Sequence, residues 1–333
     1  MARLAGVSSA TVSYVVNRGP RAVSPETHQR VVAAIQQLGY HPDAIARSLR
    51  TRHTHVIGLI IPDNTNAFFA ELARHLEEAA QMHGYSLLLC NSREDVEREG
   101  ILLASLRDRR VDGVVLVPSD VHGGSASAEL DGIPIVALDR VPPSWEGDAV
   151  RADGRAGGVL AANHLLELGH RRIGVIHGPL RLAHARERQE GSLDALRAAR
   201  IPASDLVHGE APFTYEGGQR AAHDLLSRDI RPTALCCAND AMAIGALSAA
   251  HALSLRVPQD VSIVGFDDVP VAAYTVPSLT TVTQPYTAMA AAAMELLLGR
   301  TDRNVRQDVP TVARVRVFPV GFVIRGTTAS PTV

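Results

Sequence analysis

From Val56 onward the chain repeats one pattern: a short, continuous apolar run followed by an amphipathic stretch long enough for a helix. The runs are Val56–Ile61, Ser86–Cys90, Gly113–Val117 and Ile133–Leu138, then Ile173–Ile176, Ala234–Ala238 and Ser262–Gly265. Helical stretches such as Phe68–His83 and Gly157–Leu168 lie between them. A strand that is apolar throughout must be covered on both faces, the condition of a central strand in a parallel sheet. Such strands alternating with helices predict doubly wound α/β sheets, and two sets of runs predict two lobes. In that architecture a ligand binds beyond the carboxyl ends of the strands, in the cleft between the lobes.

The first fifty-odd residues follow a different rule. Ser8 is a good N-cap for the helical stretch Ser9–Val16, which carries Val12, Val15 and Val16 on one face. Asn17-Arg18-Gly19-Pro20 ends that stretch. Ser24-Pro25 then supplies an N-cap and a proline at the first helical position. The helix this starts runs to Leu38, with Val31, Ile35 and Leu38 inward and Gly39 as its stop. His41-Pro42-Asp43 is a second break. The segment 44–50 that follows is too short to be a stable helix alone and reads as a linker that folds on a partner.

Charge separates the two regions. Net charge is only −2, but residues 1–53 hold seven arginines and two acids, so they carry +5 and the remainder −7. A basic terminal segment on an acidic body is the distribution expected of a DNA-binding headpiece.

Several classes are disfavoured. No apolar run reaches the length of a membrane span. The start, Met1-Ala2-Arg3-Leu4-Ala5-Gly6, has neither the apolar core nor the cleavage pattern of a signal peptide, which predicts a cytoplasmic chain. Cys90, Cys236 and Cys237 lack metal-ligand spacing and read as reduced cysteines in buried strands, so no disulfide, metal or cofactor is expected. An enzyme on this fold would be announced by a Gly-x-Gly-x-x-Gly turn, a Walker loop or a Gly-x-Ser-x-Gly elbow, and none is found. A secreted sugar-binding protein would suit the body but not the basic headpiece.

Residues 5–17, Ala-Gly-Val-Ser-Ser-Ala-Thr-Val-Ser-Tyr-Val-Val-Asn, resemble the helix-turn-helix signature of the LacI (lactose/purine repressor) family, and Ala46-Arg47-Ser48-Leu49-Arg50 resembles its hinge helix. Further similarity runs through Arg110–Gly113, Leu168–Gly174, Arg186–Gly191, Ala238–Gly245, Val257–Asp268 and Leu279–Pro285. The resemblance implies an all-α helix-turn-helix headpiece plus an α/β periplasmic-binding-protein type I domain of two lobes. It places the headpiece at 1–41, the hinge and linker at 42–55, and the effector-binding and dimerisation domain at 56–330. Lobe one would take about 56–153 and 282–312, and lobe two about 154–281 and 313–330. The family signature normally begins before Met1, with a Val-Ala pair where Met1-Ala2 stands, so the natural start is expected upstream and the first helix incomplete here.

The same resemblance assigns DNA contacts. Ser9, Ala10 and Tyr14 would read base edges from the start of a recognition helix, with Thr11, Ser13 and Asn17 placed for phosphate or intra-domain contacts. Ala10 suits a thymine methyl and the Tyr14 hydroxyl can donate or accept, although Tyr14 as plain packing is the simpler alternative. Leu49 would wedge into the minor groove, with Arg47 and Arg50 supplying charge. Because so short a hinge orders only when two copies meet on DNA, a small change in dimer geometry would melt it. A palindromic operator requires two headpieces on a two-fold axis, and residues 325–333 contain no leucine heptad, so a homodimer is expected.

For the effector the resemblance implies Phe69, Asp153, Arg188, Phe213, Asn239, Asp267 and Gln284, with His184 a further lining candidate. The polar members suit hydroxyls or ring nitrogens, Arg188 offers a bidentate fork, and the phenylalanines offer apolar faces. The plainer alternatives are an inter-lobe ion pair for Arg188 and Asp267 and core packing for the phenylalanines. A sugar is the favoured effector, with a nucleobase or nucleoside as the alternative that these residues equally serve. Repression is favoured over activation.

Overall fold

The computed structural model describes residues 1–16, 23–39, 53–119, 129–130, 132–202, 205–301 and 313–332. The chain divides into two compact units, Met1–Thr54 and His55–Val333.

The described headpiece is three helices, α1 (Ala2–Ala5), α2 (Ser9–Val16) and α3 (Pro25–Leu38). Gly6 ends α1 in the left-handed conformation, φ 61°, which glycine adopts without steric cost. The Ser8 hydroxyl accepts the Thr11 N–H at 3.1 Å and opens α2, and the Ser24 hydroxyl accepts the Thr27 N–H at 3.3 Å and opens α3. The core is small: Ala5, Val12, Val31 and Ala34, bordered by Val15, Val16 and Ile35. Leu38, expected on the inner face of α3, is 53% exposed, because the buried stripe runs through Val31 and Ala34 and ends before the last turn.

In the second unit the first sheet is built from β1 (Val56–Ile61), β2 (Ser86–Asn91), β3 (Gly113–Leu116), β5 (Ile133–Leu138), β6 (Ala149–Ala152) and β12 (Val315–Phe318), in the order β12-β6-β5-β3-β1-β2 and all parallel. A short β4 (Glu129–Leu130) pairs antiparallel with β5. The second sheet has β7 (Ile173–His177), β8 (Leu206–Glu210), β9 (Ala234–Cys237), β10 (Ser262–Asp267), β11 (Thr280–Thr283) and an antiparallel edge strand β13 (Gly321–Val323), in the order β13-β11-β10-β9-β7-β8. The helices are α4 (Ala67–Met82), α5 (Val96–Asp108), α6 (Gly154–Glu167), α7 (Ala183–Ala198), α8 (Tyr215–Leu226), α9 (Asp240–Ala252) and α10 (Tyr286–Thr301).

Alternation along each strand divides the core between the two faces of each sheet. In lobe one Ile60, Val114, Leu116 and Ile135 pack under α5, while Leu59, Ile61, Val115 and Val136 face α4 and α10. In lobe two Ile173, Val175, Ala234, Cys236 and Val264 pack under α6 and α7, while Ile176, Leu235, Cys237 and Ile263 face α8 and α9. The predicted two-lobed parallel α/β fold is therefore present.

Three details depart from expectation. The return to lobe two comes between β12 and β13, at about 319–320 rather than 312–313, because β12 pairs with β6 of lobe one. The second crossing lies just after β11, which belongs to lobe two and moves the start of lobe one's second segment from 282 to about 284. The strand carrying Cys90 is an edge, so Leu88 and Leu89 are exposed and Cys90 is only half-buried, whereas Cys236 and Cys237 are buried. Burial pushes the Cys236 thiol up to about 12.

Candidate functional site

The carboxyl ends of both sheets deliver their following residues to an inter-lobe cleft of about 380 Å³ and to a small buried pocket that adjoins it. Lobe one contributes Asn66 and Phe69 after β1 and Asp139 and Arg140 after β5. Lobe two contributes Arg188 from α7, Phe213 after β8, Asn239 after β9 and Asp267 at the end of β10. Gln284 follows β11 at the second crossing. Helix starts hold several of them: the Asn66 side chain accepts the Phe68 N–H at 3.0 Å, and the Asn239 side chain accepts the Met242 N–H at 2.9 Å. α6 and α7 approach at backbone distance because Gly158 and Gly191 face each other's helix; a Cβ at Gly158 would overlap the Arg188 carbonyl oxygen.

Arg188 is the centre of the lobe-two wall. Its Nη1 donates to the Ala238 carbonyl at 2.7 Å and lies 3.4 Å from Asp267 Oδ1, and its guanidinium sits 3.8 Å above the Phe266 ring. Gln284 Nε2 donates to the same Asp267 oxygen at 2.7 Å, and the Tyr286 hydroxyl donates to the Asp267 carbonyl at 2.9 Å. Asp267 itself has φ 117°, a strained value for a side-chain-bearing residue that persists only where the surroundings over-determine it. Across the cleft Arg140 donates to Glu94 at 2.7 Å and stands 5.3 Å from the Phe69 ring. His184 stacks on Phe213 at 5.3 Å and 22°.

Burial pushes the Asp267 carboxyl up to about 7, against the pull of Arg188 and Gln284, and the neighbouring Asp139 adds to the rise. Burial raises Asp139 as well, opposed by Arg188 and Arg140. Burial, with Arg140 and Arg188 nearby, holds the His184 imidazole well below its ordinary range and therefore neutral.

Four buried side-chain polar atoms among the described residues have no hydrogen-bond partner: Arg140 Nε, His184 Nδ1, Arg188 Nε and Gln284 Oε1. All four belong to this cluster. A buried polar atom left unpaired costs of order 1–3 kcal/mol, so four in one cluster make it the candidate site for a polar ligand.

Of the predicted effector residues, Phe69, Arg188, Phe213, Asn239, Asp267 and Gln284 are thus brought together. Asp153 is not among them. It sits at the first crossing, where its N–H donates to the Phe318 carbonyl at 2.9 Å and its carboxylate accepts the Ala156 N–H at 2.9 Å, capping α6. Sequence reasoning missed Asn66, Asp139 and Arg140. The last two were within reach, being the Asp-Arg pair directly after the predicted strand Ile133–Leu138, on its carboxyl end. Among the described residues no group of three His, Cys, Asp or Glu side chains is arranged to hold a metal ion.

In the headpiece Ser9, Ala10 and Ser13 lie exposed on α2, while Thr11, half-buried, pairs with Ser8 across 2.9 Å and Tyr14 is half-buried. Asn17, Arg47, Leu49 and Arg50 lie outside the described residues.

Comparison with known proteins agrees with both units. Residues 1–43 match the model of bacterial regulatory proteins of the lacI family, and residues 162–328 match that of the periplasmic binding protein-like domain. The ribose operon repressor of Escherichia coli K12 is 39% identical over 322 residues, 96% of each chain. The chain belongs to the LacI family of bacterial regulatory proteins. Within that family, the repressor PurR of Photorhabdus laumondii is 39% identical over 94% of this chain and 92% of its own. The Lac repressor bound to ONPG in its repressed state superposes with a TM-score of 0.85 at 30% identity, covering 98% of both chains. A LacI-family regulator from Enterococcus faecium with bound ribose superposes at 0.73 and 32% identity, covering 83% of this chain and 99% of that one. No helix among the described residues is long and apolar enough to cross a membrane.

Proposed function

We propose that this LacI-family chain is a transcriptional repressor that binds a palindromic operator as a homodimer, under the control of a small neutral sugar of the ribose class held between its lobes. The observation that carries the effector reading is the convergence of four unpartnered buried polar atoms on the inter-lobe cluster. They are hydrogen-bonding positions of the kind a polyhydroxylated ligand fills. Two arginines, Arg140 and Arg188, face two carboxylates, Asp139 and Asp267, so the lining favours a ligand without net charge. Phe69 and Phe213 offer apolar faces for a sugar ring. The relatives point the same way, since one is a ribose operon repressor and another structure holds ribose.

The DNA-binding side rests on the family match of residues 1–43 and on the exposed face Ser9, Ala10 and Ser13 at the start of α2. The headpiece at 1–41, the hinge at 42–55 and the minor-groove roles of Arg47, Leu49 and Arg50 are part of this reading. Two apolar surfaces support a second copy: Leu88 and Leu89 on the sheet edge, and Val271, Tyr274 and Val276 following β10, the last two 83% and 96% exposed.

The test is selection of binding sites from a random DNA library with the full chain, followed by titration of D-ribose, other pentoses and adenine into the complex. A palindrome should be enriched, and D-ribose should change operator affinity. A response to adenine alone would transfer the effector to the nucleobase class. Leu49→Ala should weaken operator binding while leaving the affinity for ribose intact, and unchanged operator affinity would remove the wedge.

A further inference from the structure

We propose that His184 sets the size of the effector, its ring forming the partition between the effector site and a second cleft behind it. The inference rests on the sugar reading above. The second cleft, about 440 Å³, lies beside the first crossing between the lobes, bounded by the loop carrying Pro142, Pro143 and Trp145 in lobe one and the first turns of α7 in lobe two. The buried end of the effector site and this cleft share three lining residues, Asp139, His184 and Arg188. Arg188 is immobilised by the Ala238 carbonyl, Asp267 and the Phe266 ring. Asp139 is fixed through its backbone, whose N–H donates to the Val150 carbonyl at 2.8 Å. His184 is the member held by ring stacking on Phe213, and its Nδ1 is buried with no hydrogen bond.

That combination has two consequences. The imidazole, kept neutral by burial and by the two arginines beside it, retains a free hydrogen-bonding position for a ligand hydroxyl. Its bulk also blocks the way to a cleft in which the Trp145 indole and two proline rings, beside the Arg151–Glu187 ion pair, offer flat apolar surface to an aromatic group. A free pentose fits in front of the partition. An aryl group carried on the side of the sugar that faces His184 does not, unless the ring at 184 is removed.

The experiment is calorimetric titration of the full chain, His184→Ala, His184→Ser and His184→Phe with D-ribose, adenosine and 5-O-benzyl-D-ribose, so that either end of the sugar can present its aryl group to the cleft. Thermal melts establish that each variant is folded, and the serine variant stands in if alanine does not fold. Wild type should bind ribose more tightly than either aryl-bearing pentose. His184→Ala or His184→Ser should bind at least one aryl riboside about tenfold more tightly than wild type does, the discrimination expected of a lost steric wall. His184→Phe, which restores bulk without the nitrogen, should exclude the aryl ribosides again while binding ribose more weakly. Folded His184→Ala or His184→Ser that binds ribose yet gains no aryl riboside would overturn the partition and leave the sugar reading standing. Wild type that binds aryl ribosides as tightly as ribose would overturn it equally. Wild type that binds none of the three would bring down the sugar reading, and the partition with it.

Discussion

Asp148 and Asp267 are both buried carboxylates facing arginine, yet the two clusters are finished differently. Around Asp148, at the start of β6, Arg300 donates from Nε at 3.0 Å and Nη2 at 3.1 Å, and Arg314 donates from its backbone N–H at 2.9 Å and Nη2 at 2.6 Å. Burial by itself would raise this carboxyl, but these bonds outweigh it and hold it at about 2. The cluster ties β6 to α10 and β12 and leaves none of its buried side-chain atoms unpaired. Around Asp267 burial wins and the carboxyl rises to about 7, while Arg140, His184, Arg188 and Gln284 each keep one buried atom without a partner. The same residue types can therefore close on themselves and hold a fold together, or stay open and wait for a ligand. Completeness of hydrogen bonding, not charge content, separates the two.

The comparison can be broken most forcefully at Asp267. Asp267→Ala should weaken effector binding by about 100-fold or more, the loss of two hydrogen bonds to a charged group at roughly 1.5–3 kcal/mol each. Its melting temperature should fall less than that of an Asp148 variant, because the cost of leaving Arg188 buried without its carboxylate is offset by removing a carboxyl held against its solvation preference. A Kd for ribose that stays at the wild-type value would show that the open cluster is not the binding site.

Asp148→Asn should do the reverse. Removing one partner of a buried ion pair costs roughly 3–5 kcal/mol, and exposure of Arg300 and Arg314, at 29% and 34%, reduces the expected loss to about 2–3 kcal/mol. Denaturant unfolding reads this loss, and ribose affinity of the folded variant should be unchanged.

The smallest effect is in the pH dependence, where the two carboxyls have opposite signs. Asp148, depressed in the fold, stabilises it fully above the ordinary carboxylate range, and this is lost as pH falls toward about 2. Asp267, raised in the fold, makes the protein less stable as pH rises from the ordinary carboxylate range toward about 7. Hydroxyls donating to Asp267 need its ionised form, so ribose affinity should decline as pH drops below about 7, by at most about tenfold per unit. Flat affinity between pH 5.5 and 7.5, a window of about two units around that value, would mean that the ligand does not engage this carboxylate.

Much of this molecule is written in features a few residues long, and those were readable in order. Apolar runs marked the central strands, and Ser8, Ser24 and Gly39 marked helix ends, because cap chemistry and side-chain periodicity act within a turn or two. The resemblance added six of the residues that meet in the cleft, since most of them end or follow a strand or open a helix whose position the fold repeats. What the sequence could not decide depends on partners far along the chain. Val315–Phe318 joins lobe one because its pairing partner is β6, more than 160 residues earlier, and nothing local distinguishes it from Gly321–Val323, which joins lobe two. Ser86–Asn91 is as apolar as a central strand yet lies at an edge, since strand order is set by the whole sheet. Asp153 caps α6 as Asn239 caps α9, yet it lines neither the cleft nor the buried pocket beside it. His184 passes for an ordinary histidine until tertiary packing stacks it on Phe213, between two arginines, and leaves its Nδ1 without a partner. Residue type sets what a side chain can bond to; only the folded surroundings decide which of those bonds remain unmade.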